Sequence, residues 1–112
     1  ALETLIDAAD RAHDPRLYFS LLRSEGGQAD TRNRWMDPYW RFYLAKHQRE
    51  DLLARTTLAF EMSEANLASK GSLFLGYVGD AATAGLVRDG TLTLVQVVPE
   101  ISGPPFFAVF QR

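Results

Sequence analysis

The chain has 112 residues, of which 46% are hydrophobic and 23% charged, and its formal net charge is −2. This balance is typical of one globular domain that buries its own core, and it excludes a disordered or collagen-like chain. Because the sequence has no cysteine, it excludes disulfide frameworks, thiolate metal sites and cysteine nucleophiles.

Two helices are predicted at the start of the chain. The first is indicated by apolar residues at the spacing of one buried helical stripe, namely Leu2, Leu5, Ile6 and Ala9. Asp14-Pro15 then offers a capping oxygen followed by a residue suited to the first helical turn. This signature predicts a second helix to about Glu25, which Gly26-Gly27 ends because residues without a Cβ adopt left-handed backbone readily.

A third helix is predicted in the middle of the chain. Asp37-Pro38 repeats the signature of a cap followed by proline, and residues 39 to about 55 are good helix formers without internal Gly or Pro. The preceding residues 28–34 are polar and lack a period, which indicates a loop. Residues 56–62 fit a strand as well as a continued helix, so both assignments stay open there.

Strands are predicted after Gly71, where the composition becomes richer in apolar and β-branched residues. Residues 73–78 are typical of a buried strand, and Gly79-Asp80 of a turn. Asp89-Gly90 suits a two-residue hairpin turn, because both central residues of such a turn need positive φ. Two short strands are therefore predicted within residues 86–98.

The chain closes on a predicted loop over residues 99–105 and a final strand over residues 106–110. Helices thus come first and strands second, which is the order of the α+β class. We expect three N-terminal helices packed on a small, mainly antiparallel sheet.

Two blocks of the sequence resemble the N-terminal domain of the SseB family. In the first, an amphipathic helix precedes Pro15, the aromatic pair Tyr18-Phe19 and Leu21-Leu22. The second contains the strand starting at Leu73, the Asp89-Gly90 turn and the strand that follows Pro104-Pro105. The resemblance implies one α+β domain over residues 1–112, found in bacteria, that serves as an interaction or accessory module without a cofactor.

The sequence departs from the SseB pattern over residues 26–71, where it has an additional helix. The family domain also continues beyond its Pro-Phe strand, so a domain truncated at its C-terminus is one interpretation of the last residues. The resemblance implies no catalytic residues.

Aromatic side chains are concentrated on the predicted third helix and form the candidate binding site. At about 100° per residue they cover roughly 200° of the helix surface, which is wider than the roughly 100° stripe that one core needs. We expect part of this surface to bind a protein, because Trp, Tyr and Arg are enriched at binding hot spots. The candidate partner-binding residues are Trp35, Tyr39, Trp40, Arg41 and Tyr43. The competing interpretation is that the helix buries two faces within its own domain.

Positive charge is concentrated on the same part of the chain. Residues 31–56 hold six basic and three acidic side chains, a net charge of +3, whereas residues 1–30 have a net charge of −3. A basic and aromatic helix is also suited to single-stranded nucleic acid, which is the alternative function. The pI of about 5.6 disfavours that alternative. A homodimer that pairs through an edge strand or the aromatic helix is a further alternative.

Catalytic and metal sites are not predicted. His47 and Asp51 lie at the i, i+4 spacing of two helical metal ligands, but no further donor is placed near them, so a solvated helix face is the preferred interpretation. The sequence also lacks the Gly-x-Ser-x-Gly pattern and the spacing of phosphate-binding loops. We therefore expect a protein that is not an enzyme and has no metal or cofactor.

A membrane location is not predicted either. No apolar run approaches the roughly 20 residues of a membrane helix, and no basic segment opens the sequence. We expect a cytoplasmic protein without a membrane partner.

Overall fold

A computed structural model describes residues 2–13, 15–22, 28, 33–98 and 107–112. The α-helices within these ranges are Glu3–Arg11 (α1), Asn33–Lys46 (α2) and Ala81–Arg88 (α3). The strands are Leu17–Ser20 (β1), Thr56–Phe60 (β2), Leu73–Tyr77 (β3), Thr93–Val97 (β4) and Phe107–Gln111 (β5). Two short 3₁₀ helices, Glu50–Arg55 and Met62–Leu67, precede β2 and β3 respectively.

The five strands form one mixed sheet in the order β2-β1-β3-β5-β4. β1 pairs in parallel with β2 and β3, and β5 pairs antiparallel with β3 and β4. The predicted α+β class is confirmed in its coarse form. The expectation of a mainly antiparallel sheet is wrong, and so is that of helices confined to the N-terminal part, because α3 lies between β3 and β4.

Two apolar clusters cover the two faces of the sheet, because successive side chains of a strand point to opposite faces. On one face, alternate residues of β1, β3 and β5 pack with α1 and α2; these are Leu17, Phe19, Leu73, Leu75 and Val109. On the other face, the intervening residues pack with the second 3₁₀ helix and with Leu86 of α3; these are Tyr18, Phe74, Ala108 and Phe110. The sheet is therefore the middle of three layers.

The predicted second helix is wrong over residues 17–20, which form the central strand β1. Leu17 and Phe19 are buried on one face of the sheet, and the Tyr18 ring stacks on Phe74 on the other at 5.0 Å between centroids. A helix could bury only one stripe, whereas this position between β2 and β3 buries both faces of the segment. The expected helix end at Gly26-Gly27 lies outside the described residues.

The third predicted helix exists as α2, but it begins earlier and ends earlier than expected. At its start, the Asn33 side chain accepts from the Leu22 N–H and donates to the Leu22 carbonyl, both at 2.9 Å. At its end, Gln48 adopts a left-handed conformation with φ 57°. The Gln48 and Arg49 N–H groups donate to the Ala45 and Leu44 carbonyls, which is the hydrogen-bond pattern of a Schellman motif. The sequence gives no glycine signal for this end.

Asp89-Gly90 closes α3 instead of forming a hairpin turn. Gly90 has φ 87°, its N–H donates to the Val87 carbonyl, and the Asp89 carboxylate accepts from the Thr91 N–H at 2.9 Å. The predicted pair of strands within 86–98 is therefore wrong, and only β4 forms there. Positive φ is required at a helix end as well as in a hairpin turn, so the dipeptide alone does not separate the two.

The open assignment of residues 56–62 resolves as the edge strand β2 over residues 56–60, whereas Met62 begins the second 3₁₀ helix. The register of β2 with β1 shifts near Ala59, which has φ 53°, so the strand contains a bulge. The predicted strands over 73–78 and 106–110 are confirmed as β3 over residues 73–77 and β5 over residues 107–111. Residue 106 and the predicted loop over 99–105 lie outside the described residues. In the described part of the chain, no helix combines the length and apolar character needed to cross a membrane.

Replacing Gln48 with glycine is expected to raise the free energy of unfolding by about 0.5–1 kcal/mol, because glycine adopts the left-handed conformation without the Cβ penalty. The matched control is Ala45→Gly, an exposed position in the last turn of α2. There glycine should lower the free energy of unfolding by up to about 1 kcal/mol. Urea denaturation measures both. A loss of stability in both variants would contradict the assigned end of α2.

Candidate functional site

α2 presents two apolar faces, one toward the core and one toward solvent. Trp40 and Leu44 are buried, and Met36 and Tyr43 pack against the same core cluster. Three large aromatic side chains project away from that core: Trp35 is 60% exposed, Tyr39 55% and Phe42 60%. The core of the domain therefore buries only part of the aromatic surface of α2 and leaves the rest exposed to solvent.

Trp40 fixes how α2 is rotated against the sheet. Its indole has no exposed surface, and its ring packs on Phe19 of β1 with the centroids 5.2 Å apart. The indole Nε1–H donates to the Thr56 hydroxyl at 2.9 Å, and that hydroxyl donates to the Leu52 carbonyl at 2.8 Å. Because a buried indole N–H without a partner is costly, this hydrogen bond favours one rotation of the helix.

The outward aromatic surface, defined as Trp35, Pro38, Tyr39 and Phe42, follows from that rotation. At about 100° per residue, these four positions lie within roughly 100° of one another, on the opposite side of α2 from Trp40. The Trp35 and Tyr39 rings are neighbours at i, i+4, with their centroids 6.4 Å apart. The four side chains line a shallow cavity of about 360 Å³.

Pro38 also changes the backbone of this surface. It lies inside α2, and proline has no N–H to donate to the carbonyl four residues earlier. The Arg34 carbonyl therefore has no N–H donor at position 38.

Basic side chains flank the outward aromatic surface on one side. Arg34 and Arg41 are exposed and lie about 20° apart on the helical wheel, next to Pro38. Arg41 also pairs with Asp37, one turn earlier, at 2.7 Å. The arginine side chains thus border the aromatic rings, and water screens the Arg41–Asp37 pair.

The structure separates the five residues predicted as a partner-binding set. Trp35 and Tyr39 lie on the outward aromatic surface, and Arg41 lies at its border. Trp40 is buried and Tyr43 is half-buried against the core, so the indole of Trp40 has no surface to offer a partner. Phe42, which the predicted set leaves out, is as exposed as Trp35. The helical spacing from Trp35 would have indicated it.

The helix predicted to carry His47 and Asp51 on one face ends at Lys46. His47 Nε2 lies 3.8 Å from Glu3 of α1, and Asp51 accepts from Arg49 at 3.1 and 3.2 Å. The guanidinium of Arg49 lowers the pKa of the Asp51 carboxyl. No group of three or more potential metal ligands occurs among the residues described.

A second concave region lies where β1, β2 and β3 end, and no pattern in the sequence predicts it. We call it the carboxyl-end cleft; its volume is about 500 Å³. It is lined by residues at or after the ends of the three parallel strands, namely Ser20, Leu21, Leu22, Glu61, Met62, Ser63, Tyr77, Gly79, Asp80, Ala81 and Ala82. These residues meet only because the strands are parallel.

Comparison of the chain with protein-family models, with curated proteins and with solved structures finds no match. The resemblance to the SseB family therefore stays a prediction, and the function is argued from the geometry of this chain.

The two tryptophans of the chain are expected to report opposite environments. Trp40→Phe leaves only the exposed Trp35, so its emission should lie further to the red and be quenched several-fold more by acrylamide than that of Trp35→Phe. Trp40→Phe also removes the hydrogen bond to Thr56 and should lower the free energy of unfolding by roughly 1–3 kcal/mol. Trp35→Phe should change it by less than about 0.5 kcal/mol.

Fluorescence spectra and urea denaturation of the two single-tryptophan proteins measure these differences. Equal quenching of the two variants would show that the assigned rotation of α2 is incorrect.

Proposed function

We propose that the chain is a non-catalytic interaction module that binds a protein partner through the outward aromatic surface of α2. The observation that carries the proposal is the exposure of Trp35, Tyr39 and Phe42 together on one face of one helix. Contiguous apolar patches on a soluble domain mark interaction sites, whereas single exposed apolar side chains are ordinary.

The residue types on the outward aromatic surface favour specific binding over nonspecific hydrophobic association. Trp and Tyr are the residue types that dominate interface hot spots, and they contribute large contact areas with few rotatable bonds. The cavity that the surface lines is shallow, so a single apolar side chain of a partner fits it better than a whole small molecule does.

The positive charge beside the outward aromatic surface indicates which residues the partner should carry next to its apolar anchor. Because Arg34 and Arg41 border the aromatic rings on one side, an acidic residue next to the apolar anchor would be favoured there. We therefore propose as the ligand a protein segment with one large apolar residue followed or preceded by acidic residues. A cytoplasmic setting and a bacterial accessory role of the SseB type remain part of the proposal.

Selection from a displayed library of random dodecapeptides tests this proposal. We expect the purified chain to enrich peptides that combine a large apolar residue with adjacent Asp or Glu. A variant carrying Trp35→Ala and Phe42→Ala should bind the enriched peptides at least about tenfold more weakly, because two anchor contacts are lost. Fluorescence anisotropy of labelled synthetic peptides measures the affinities.

Val87→Ala and Leu94→Ala provide the control, since both residues are exposed and apolar but lie on α3 and β4. They should leave peptide affinity within about twofold of the original chain. If no peptide is enriched, or if the control variant loses as much affinity as the α2 variant, the assignment of the outward aromatic surface is incorrect.

Binding of single-stranded nucleic acid is the second candidate function, because three exposed rings beside Arg34 and Arg41 also suit base stacking and phosphate contacts. This function predicts that a labelled oligothymidine binds at low salt and that its affinity falls steeply as salt is raised. Anisotropy titrations at two salt concentrations measure this. No binding at the lower salt concentration removes the nucleic-acid candidate without affecting the peptide result.

A further inference from the structure

Two arginines flank one serine at the edge of the sheet where β1 and β3 begin and β5 ends. On the face that α3 covers, three aromatic side chains are partners in these neighbouring strands, namely Tyr18, Phe74 and Phe110. Two positions further toward this edge, the same strands lead to Arg16, Ser72 and Arg112. Because side chains alternate between faces with a period of two, these three residues form the next row on that face. We call them the amino-edge row.

Backbone hydrogen bonds extend the sheet through the amino-edge row. The Leu73 N–H donates to the Arg16 carbonyl at 2.9 Å, and the Arg112 N–H donates to the Ser72 carbonyl at 3.1 Å. Gly71, with φ 91°, also donates its N–H to the Arg112 carbonyl at 2.9 Å, so two residues lie opposite Arg112 in a glycine bulge. Since paired strands are about 4.8 Å apart, the Arg16 and Arg112 backbones are roughly 10 Å apart with Ser72 between them.

Two donors of the amino-edge row have no protein partner. Ser72 is only 2% exposed, and its hydroxyl makes no hydrogen bond to the residues that the structure describes. The Arg112 Nε is buried and likewise has no hydrogen-bond partner there. Because buried polar groups are nearly always hydrogen-bonded, each exception requires an explanation, and a bound ion is one. Two such donors in one row point to a ligand that accepts from both.

The charge around these donors is positive. Arg16 is exposed, and so is Lys70, which lies two residues before Ser72. Within the described ranges, the ion pairs of aspartate and glutamate side chains involve other cations, among them Arg41 and Arg49, and none involves Arg16, Lys70 or Arg112. Cations of one sign without acidic neighbours attract anions.

A phosphate monoester matches this set of donors. It carries a charge of about −1.5 to −2 at pH 7 and three strong acceptor oxygens, and arginine binds phosphate oxygens through paired N–H groups. We propose that the amino-edge row binds a phosphate monoester group, to which the Arg16 and Arg112 guanidinium groups and the Ser72 hydroxyl donate. Lys70 adds to the attraction. A carboxylate offers two oxygens and a single charge, and a phosphodiester also has a single charge, so both should bind more weakly.

Titration of the isotope-labelled chain, followed by nuclear magnetic resonance at fixed pH and ionic strength, tests this site. The ligands are O-phosphoserine and inorganic phosphate, with acetate as a carboxylate and the thymidine dinucleotide as a phosphodiester. We expect saturable shifts of the Gly71, Ser72 and Arg112 amide signals with the two phosphates. Acetate and the dinucleotide should bind at least about tenfold more weakly.

Arginine variants test the two guanidinium contacts. Arg16→Gln and Arg112→Gln should each weaken O-phosphoserine binding by about tenfold, because a charge-assisted contact is lost. The matched control is Arg34→Gln, which removes the same charge from an exposed position of α2, on the opposite side of the sheet. It should leave the affinity within about twofold, since solvent screens distant charges. Circular dichroism confirms that each variant is folded.

Ser72→Ala separates a role in binding from a role in folding. The variant should bind O-phosphoserine several-fold more weakly, because one donor is lost. Its free energy of unfolding should be unchanged or higher, since removing a buried hydroxyl without a partner removes a desolvation cost. Urea denaturation measures the stability.

A phosphoserine-containing decapeptide distinguishes two sources of the phosphate group. Binding tighter than that of O-phosphoserine assigns the group to a phosphorylated protein, and equal or weaker binding assigns it to a free phosphorylated compound. Either result supports the site.

Several outcomes would overturn the proposal. These are the absence of saturable shifts up to about 10 mM of either phosphate, equal effects of Arg16→Gln and Arg34→Gln, an unchanged affinity in Ser72→Ala, and binding of acetate or the dinucleotide as tight as that of O-phosphoserine. The amino-edge row shares no residue with the outward aromatic surface of α2. Failure of the peptide selection therefore leaves this result unaffected, and the reverse also holds.

Discussion

The buried indole of Trp40 is the contact on which the arrangement of this chain depends. Its ring packs on Phe19 of the central strand, and its N–H donates to Thr56 at the start of β2. α2, β1 and β2 are thereby held together at one point. Since burial of an aromatic side chain and satisfaction of its polar atom both favour the same position, a rotated helix would lose both contributions at once.

The rotation of α2 explains how one helix serves two purposes. With Trp40 and Leu44 turned inward, the residues on the opposite side of the helix must face solvent, and in this sequence they are Trp35, Pro38, Tyr39 and Phe42. A polar outer face would have been sufficient for folding. The outer face is instead apolar and aromatic, bordered by Arg34 and Arg41, and this excess over what the core requires is the basis of the proposed partner binding.

The parallel pairing of β1 with β2 and β3 has a separate consequence at the end of the sheet. It brings Ser20, Glu61 and Tyr77 to one edge, although these residues are 16 or more positions apart in the chain. Hydrogen bonds to the backbone after β1 hold this edge together. The Leu21 N–H donates to the Phe60 carbonyl at 2.8 Å, and the Asn33 side chain holds the backbone of Leu22. The carboxyl-end cleft is thus framed by hydrogen bonds between segments that are distant in the sequence.

The sequence by itself determined the elements whose signals are local. The apolar stripe of α1, the buried strand β3 and the alternating strand β5 follow from periodicity within a few residues, and the aromatic excess of α2 follows from composition. Tertiary structure decided the rest. Residues 17–20 form a strand because both faces of this segment are buried by neighbouring parts of the fold. Asp89-Gly90 forms a helix end, and not a hairpin turn, because the residues before it form α3 and not a strand. Only packing decided that Trp40 faces inward and Trp35 outward, and only strand order formed the cleft, since contacts between distant residues leave no periodic signal in the sequence.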